Sequence, residues 1–127
     1  VQVGTRFLVA KECTISPVYK EKILKAKDID TISTGRRLGH PVRALKTPFT
    51  RELAHMEYDS NISDEELEQF GVGALRKAAR EGDAQHGSFL AGQVAAMVHK
   101  EQTAKEIITE LFEQGEQVLG GAMKWVK

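Results

Sequence analysis

The first ten residues constrain this chain more than any other stretch. Val1-Gln2-Val3-Gly4-Thr5-Arg6-Phe7-Leu8-Val9-Ala10 opens at once as a β-branched, strand-like run. Val1, Val3, Thr5 and Phe7 alternate with Gln2, Gly4 and Arg6, and the run then turns continuously apolar, as a strand of a buried parallel sheet does. Such a strand needs a neighbour on each side. The rest of the chain offers only two weak extended stretches, 30–33 and 42–45. A strand without its sheet leads to the expectation that the chain is a piece of a larger α/β protein, starting inside one of its strands.

The remainder reads as helices. Ser16-Pro17 and Thr47-Pro48 each pair an N-cap with a proline at the first helical position, opening helices to about Ala26 and Tyr58. Ser63 with Glu66 and Thr103 with Glu106 form capping boxes for two more. A further helix through Leu75, Ala78 and Ala79 is expected to end at Gly82 as a left-handed cap. Gly87 to Gln93 is read as the entrance to a small-residue helix through Ala95, Ala96 and Met97. From Ile107 to Val126, apolar residues recur every three or four positions, predicting one long amphipathic helix.

Charge separates along the chain although it sums to zero over 18 basic and 18 acidic residues. The segment through Lys46 carries most of the lysines and arginines, and the remainder is acidic. The basic cluster Arg36, Arg37, Arg43 and Lys46 is read as an anion-binding surface for a phosphate-bearing cofactor or an acidic protein. Zero net charge argues against a dedicated nucleic-acid binder, which needs a basic excess. The longest apolar run, about Phe89 to Val98, is too short to cross a bilayer, and the start lacks the pattern of a signal peptide. One cysteine, Cys13, fits a reducing, cytoplasmic setting.

Few residues carry a chemical signal unaided. Gly4-Thr5 falls where the carboxyl end of a parallel strand faces ligand: glycine admits a close phosphate, the next amide and hydroxyl can donate to it, and Arg6 would add charge if it faced that way. His40, His55, His86 and His99 show no metal-ligand spacing, so no metal site is expected; His55 and His99 fall on predicted helices. There is no Walker loop, no dinucleotide fingerprint and no nucleophile elbow around Ser88.

As a set, however, Val1 to Phe7, Lys25-Ala26-Lys27-Asp28-Ile29-Asp30-Thr31, Gly39-His40-Pro41-Val42-Arg43-Ala44-Leu45-Lys46 and Gly87-Ser88-Phe89-Leu90-Ala91-Gly92-Gln93 closely resemble the C-terminal part of the flavin-dependent enoyl-acyl carrier protein reductases of type II, within the nitronate monooxygenase family. The likeness runs over essentially the whole chain. It implies an α/β parent, an FMN-binding TIM-type barrel with a small inserted domain, of which this chain is the mainly helical C-terminal part. Residues 1–13 would then be the last barrel strand and FMN phosphate edge, 14–86 the small helical inserted domain, and 87–127 the pocket segment and the C-terminal helix returning to the barrel.

The resemblance further implies that Gly4 and Thr5 meet the FMN phosphate, that Ser88, Leu90, Gly92 and Gln93 line the substrate pocket, and that Arg36, Arg37, Arg43 and Lys46 meet NAD(P)H or the carrier protein. In such a reductase NAD(P)H supplies the electrons, FMN passes hydride to a 2-enoyl chain on acyl carrier protein, and a barrel histidine handles the proton. That histidine would lie upstream of Val1, so no catalytic residue is assigned and the isolated chain is expected to be inactive. A nitronate monooxygenase on the same scaffold and a non-catalytic interaction fragment are the alternatives. The implied partners are the rest of the barrel, the enoyl-loaded carrier protein and, in a homodimer, a second copy; nucleic acid and membrane are not expected.

Overall fold

Local capping chemistry fixes most of the helices. The computed structural model describes residues 2–125. Helix α1 is Gly4–Leu8 and α2 is Pro17–Leu24, whose Ser16 hydroxyl accepts the Tyr19 N–H. Strands β1 (Thr31–Thr34) and β2 (Val42–Leu45) follow, then α3 (Pro48–Tyr58), capped by Thr47 in a reciprocal box with Thr50. Helix α4 (Asp64–Gly71) has the expected Ser63–Glu66 box. Helix α5 (Ala74–Arg76) widens into a π-helical turn, Lys77–Glu81, closed by Gly82 at φ 66°. A 3-10 turn at Ala95–Met97 precedes α6 (Ala104–Ala122), which tightens into 3-10 at Met123–Trp125.

Two expectations are corrected here. The opening run is not a strand over Gly4–Leu8 but a short helix. Its backbone bonds are local, with the Arg6 N–H donating to Val3 O (3.0 Å) and the Ala10 N–H to Phe7 O (3.1 Å), and Arg6, Phe7 and Leu8 are compatible with helix. Among the described residues, the only strand-like pairing of this run is an isolated parallel bridge between Ala10 and Gln102. The second correction concerns Gly87–Gln93, which is not helical: Leu90 bridges Ala44 of β2, and Gln93 begins a turn. Leu45 N–H donates to Phe89 O (2.8 Å) and Ala91 N–H to Arg43 O (3.1 Å), so this segment lies against β2 as a short third strand. Helical structure returns only at Ala95, and His99 lies outside any helix. Val126 lies outside the described residues.

The hairpin β1–β2 is antiparallel, with Thr31 opposite Leu45 and Thr34 opposite Val42. Its inner end joins a core of Val9, Tyr19, Ile23, Leu45, Ala78, Phe89, Ala91, Ala95 and Val98. That core draws on the beginning, the middle and the 89–98 stretch at once. Phe89 is its centre: fully buried, in edge-to-face contact with Tyr19 (4.9 Å between centroids, 81°). Burying a phenylalanine contributes about 2–3 kcal/mol, and the aromatic pair adds about 1 kcal/mol.

Helix α6 differs from the rest. Its entry is held twice, by Glu106 on Thr103 and by the Glu12 carboxylate accepting the Ala104 N–H at 2.9 Å. Of the residues that carry its apolar stripe, Ile107 is buried, whereas Ile108, Leu111, Phe112, Val118 and Leu119 are exposed.

Candidate functional site

The segment 88–92 is aimed by three constraints. Gly87 allows it to leave the π-turn, because a Cβ there would sit 2.5 Å from Asp83 O and 2.9 Å from Ala78 Cα and N. The Ser88 N–H donates to Ala74 O (3.0 Å), and the Tyr19 hydroxyl donates to Leu90 O (2.7 Å). Burial pushes the Tyr19 phenol up to about 12, because the phenolate would lose its hydration.

So positioned, the segment meets α1. The Gly92 N–H donates to the Thr5 hydroxyl oxygen at 2.8 Å. This contact joins two stretches separated by 87 residues in sequence. Around it lies a shallow cavity of about 400 Å³ lined by Gly4, Thr5, Leu8, Arg43, Leu90, Ala91 and Gly92.

The donor set fits a phosphate. The Gly4 and Thr5 N–H groups belong to the first turn of α1, where a helix offers no internal acceptor. The Thr5 hydroxyl accepts from Gly92, which leaves its own proton free to donate onward. Nothing lies within 4 Å of a Cβ built on Gly4, so the approach is open. Arg43 borders this cavity, while its guanidinium is bonded to Thr31 Oγ1 (3.1 Å), a residue of the neighbouring cavity. Arg6 does not contribute: it faces away, donating to Lys100 O (3.1 Å) and to Gln102 Oε1.

The other expected site residues separate. Leu90 and Gly92 line the cavity, whereas Ser88 is buried behind it and Gln93 is exposed beyond it. Arg36, Arg37, Arg43 and Lys46 line a second cavity of about 780 Å³ between the hairpin and α3. Arg43 borders both cavities and so links the two sites that the sequence suggested separately. Within this group Arg37 is already engaged, donating to Asp64 Oδ1 (2.8 Å), Asp59 O (3.0 Å) and Ile62 O (2.6 Å), so it ties the hairpin turn to the α3–α4 loop.

Sequence reasoning missed Leu8 and Ala91 as lining residues and Tyr19 as the support of Leu90. A tyrosine on the helix face that also carries Ile23 was the available signal, since a buried hydroxyl requires a partner. His86 pairs with Asp83 at 2.9 Å, and His55 is exposed on α3. Among the described residues, no group of three or more His, Cys, Asp or Glu side chains could hold a metal ion, and no helix is long and apolar enough to cross a membrane.

Comparison with known proteins decides the family. The nitronate monooxygenase family matches residues 1–114. The chain belongs to that family. Its members are FMN-dependent oxidoreductases, and the chain is the mainly helical C-terminal part of the family's TIM-barrel fold. A probable nitronate monooxygenase of Staphylococcus saprophyticus is 32% identical over 120 residues, covering 94% of this chain and 33% of the relative. One from Staphylococcus aureus is 26% identical with the same coverage. The chain therefore spans about a third of the length of the curated relatives it matches. Among solved structures, FabK from Thermotoga maritima superposes with a TM-score of 0.89 at 38% identity, over 96% of this chain and 38% of that one. A single-residue variant of that protein gives 0.78 at 36% identity, over 96% and 36%.

Proposed function

We propose that the complete protein is an FMN-dependent enoyl-acyl carrier protein reductase that uses NAD(P)H to reduce 2-enoyl thioesters in fatty-acid elongation in the cytoplasm. The observation that carries this reading is the superposition on FabK, at 38% identity over almost the entire chain. FMN, when bound, supplies the hydride chemistry. Gly4 and Thr5 hold its phosphate, through first-turn amides and a hydroxyl, with Arg43 bordering the cavity. Leu90 and Gly92, with Ser88 and Gln93 flanking them, shape the pocket beside it. Arg36, Arg43 and Lys46 receive the anionic partner, the phosphates of NAD(P)H or the acidic carrier protein. Arg37 is better assigned to holding the fold.

Nitronate oxidation on the same scaffold is the second reading, and the names of the curated relatives, probable nitronate monooxygenases, favour it. The two are separated by assaying the complete protein for NAD(P)H oxidation with crotonyl thioester and for oxygen uptake with a nitronate. Thioester-dependent NAD(P)H oxidation is expected. Nitronate turnover without enoyl reduction would refute the reductase reading. The 127-residue chain alone is expected to catalyse neither reaction.

A further inference from the structure

A third recess, away from the flavin edge, concentrates positive charge from separate elements. It has a volume of about 470 Å³ and lies between α2 and the junction of β2 with α3. Lys22 and Lys25 come from α2, Lys46 from the residue after β2, and Arg51 from the first turns of α3. Two carboxylates, Glu21 and Asp30, also line it, leaving a surplus of two positive charges.

The carboxylates do not neutralise the cations evenly. Glu21 is paired with Lys25 one turn along α2. Asp30 Oδ2 accepts the Lys27 backbone N–H at 2.9 Å. Among the described residues, Lys22, Lys46 and Arg51 form no ion pair. Lys22 is further fixed by its ammonium lying 5.3 Å from the Phe89 ring centroid. Held cations without counter-charges repel one another, and an anion that bridges them relieves that repulsion. The recess is not wholly polar: Val18 and Leu45 supply apolar wall. Its volume falls in the range of small-molecule sites.

We infer that this recess is a binding site for a small phosphate monoester, whose dianionic group meets Lys22, Lys46 and Arg51 and whose body lies on Val18 and Leu45. The site is separate from the flavin edge, and shares Lys46 with the cavity lined by Arg36, Arg37 and Arg43. A phosphate is favoured over a carboxylate because a charge of two matches the surplus, and because arginine grips phosphate oxygens in pairs.

No histidine lines the recess, whose acidic residues are Glu21 and Asp30. Between pH 5 and 8 the main change of charge is therefore the ligand's own, since a phosphate monoester loses its second proton near pH 6.

The test is a two-dimensional NMR titration of the 127-residue chain with phenyl phosphate, benzoate and phenol. The expected result is saturable shifts at Lys22, Lys46 and Arg51 with phenyl phosphate, tighter at pH 7.5 than at pH 5 by up to about tenfold, the ratio of dianion at the two pH values. Arg51→Gln, an exposed site on α3, is expected to weaken binding about tenfold, while Lys105→Ala, an exposed site on α6, leaves it unchanged. Lys25→Gln is a second exposed variant, expected to weaken binding by a smaller factor. Equal affinity for benzoate, absence of saturation, or indifference to Arg51→Gln in a folded chain would overturn the assignment.

Discussion

Replacing Gly87 by alanine isolates the device that aims the pocket segment. A Cβ at this position would stand 2.5 Å from Asp83 O and 2.9 Å from both the N and Cα of Ala78. All three are backbone atoms, so no side chain can rotate away to make room. Overpacking a buried site typically costs 1–3 kcal/mol. Three backbone clashes place this one at the upper end, about 3 kcal/mol. For a chain of this length that corresponds to a fall in Tm of about 10 °C. The π-turn and the segment 88–92 would have to separate, straining the Gly87 N–H bond to Asp83 O (2.9 Å) and the Ser88 N–H bond to Ala74 O (3.0 Å). Gly115→Ala is the matched control, because it lies within α6 and its Cβ would meet nothing within 4 Å. It should stabilise by about 0.5–1 kcal/mol, the helix-propensity gain of alanine over glycine. Differential scanning calorimetry of the two variants reads both signs. A Gly87→Ala chain that melts within 1 °C of the parent would refute the close-approach argument.

Three further outcomes follow from named contacts. Tyr19→Phe should cost about 1–3 kcal/mol in denaturant unfolding, because the buried Leu90 carbonyl loses its donor. In a Tyr58→Phe background, the remaining phenol, Tyr19, should ionise near pH 12 by ultraviolet absorbance; because its folded pKa is raised above the ordinary 10, the stability it lends is complete below pH 10 and is lost as pH rises to 12. The Asp83 carboxyl is held down to about 2, first by the His86 backbone N–H and then by the His86 ring, so its contribution is present above about pH 4 and lost as pH falls toward 2. Asp83→Asn should flatten that part of the acid-unfolding curve, and an unaltered curve would contradict the assignment.

Much of the fold was legible because much of it is local. Ser16, Thr47, Ser63 and Thr103 each bond an amide three residues on, so their helix starts could be read from a few letters. Gly82 at φ 66° likewise closes its helix without distant help. The misreadings lie where partners are far away in sequence. Alternation in the first ten residues resembled a strand, yet a short apolar run fits helix or strand equally well, and local bonds such as Arg6 N–H to Val3 O close it as a helix. The small residues after Gly87 looked helical, but pairing with β2 holds them extended. The site followed the same division. Gly4 and Thr5 were visible as a glycine followed by a hydroxyl, whereas their union with Gly92 and Arg43 depends on contacts across the whole chain. The basic cluster was visible too, but only geometry distinguishes Arg37, bonded to three acceptors, from Arg43, which faces two cavities.

The central claim is that Gly4, Thr5, Arg43 and Gly92 form the phosphate end of a flavin site, and comparing FMN with riboflavin tests it most directly. Thr5→Val in the complete apoprotein keeps the shape and removes the hydroxyl, and flavin fluorescence titration then reads affinity for each ligand. The expected result is FMN binding weakened about tenfold, the loss of one charge-assisted hydrogen bond, with riboflavin affinity unchanged. Unchanged affinity for FMN, or equal weakening of both ligands, would contradict it.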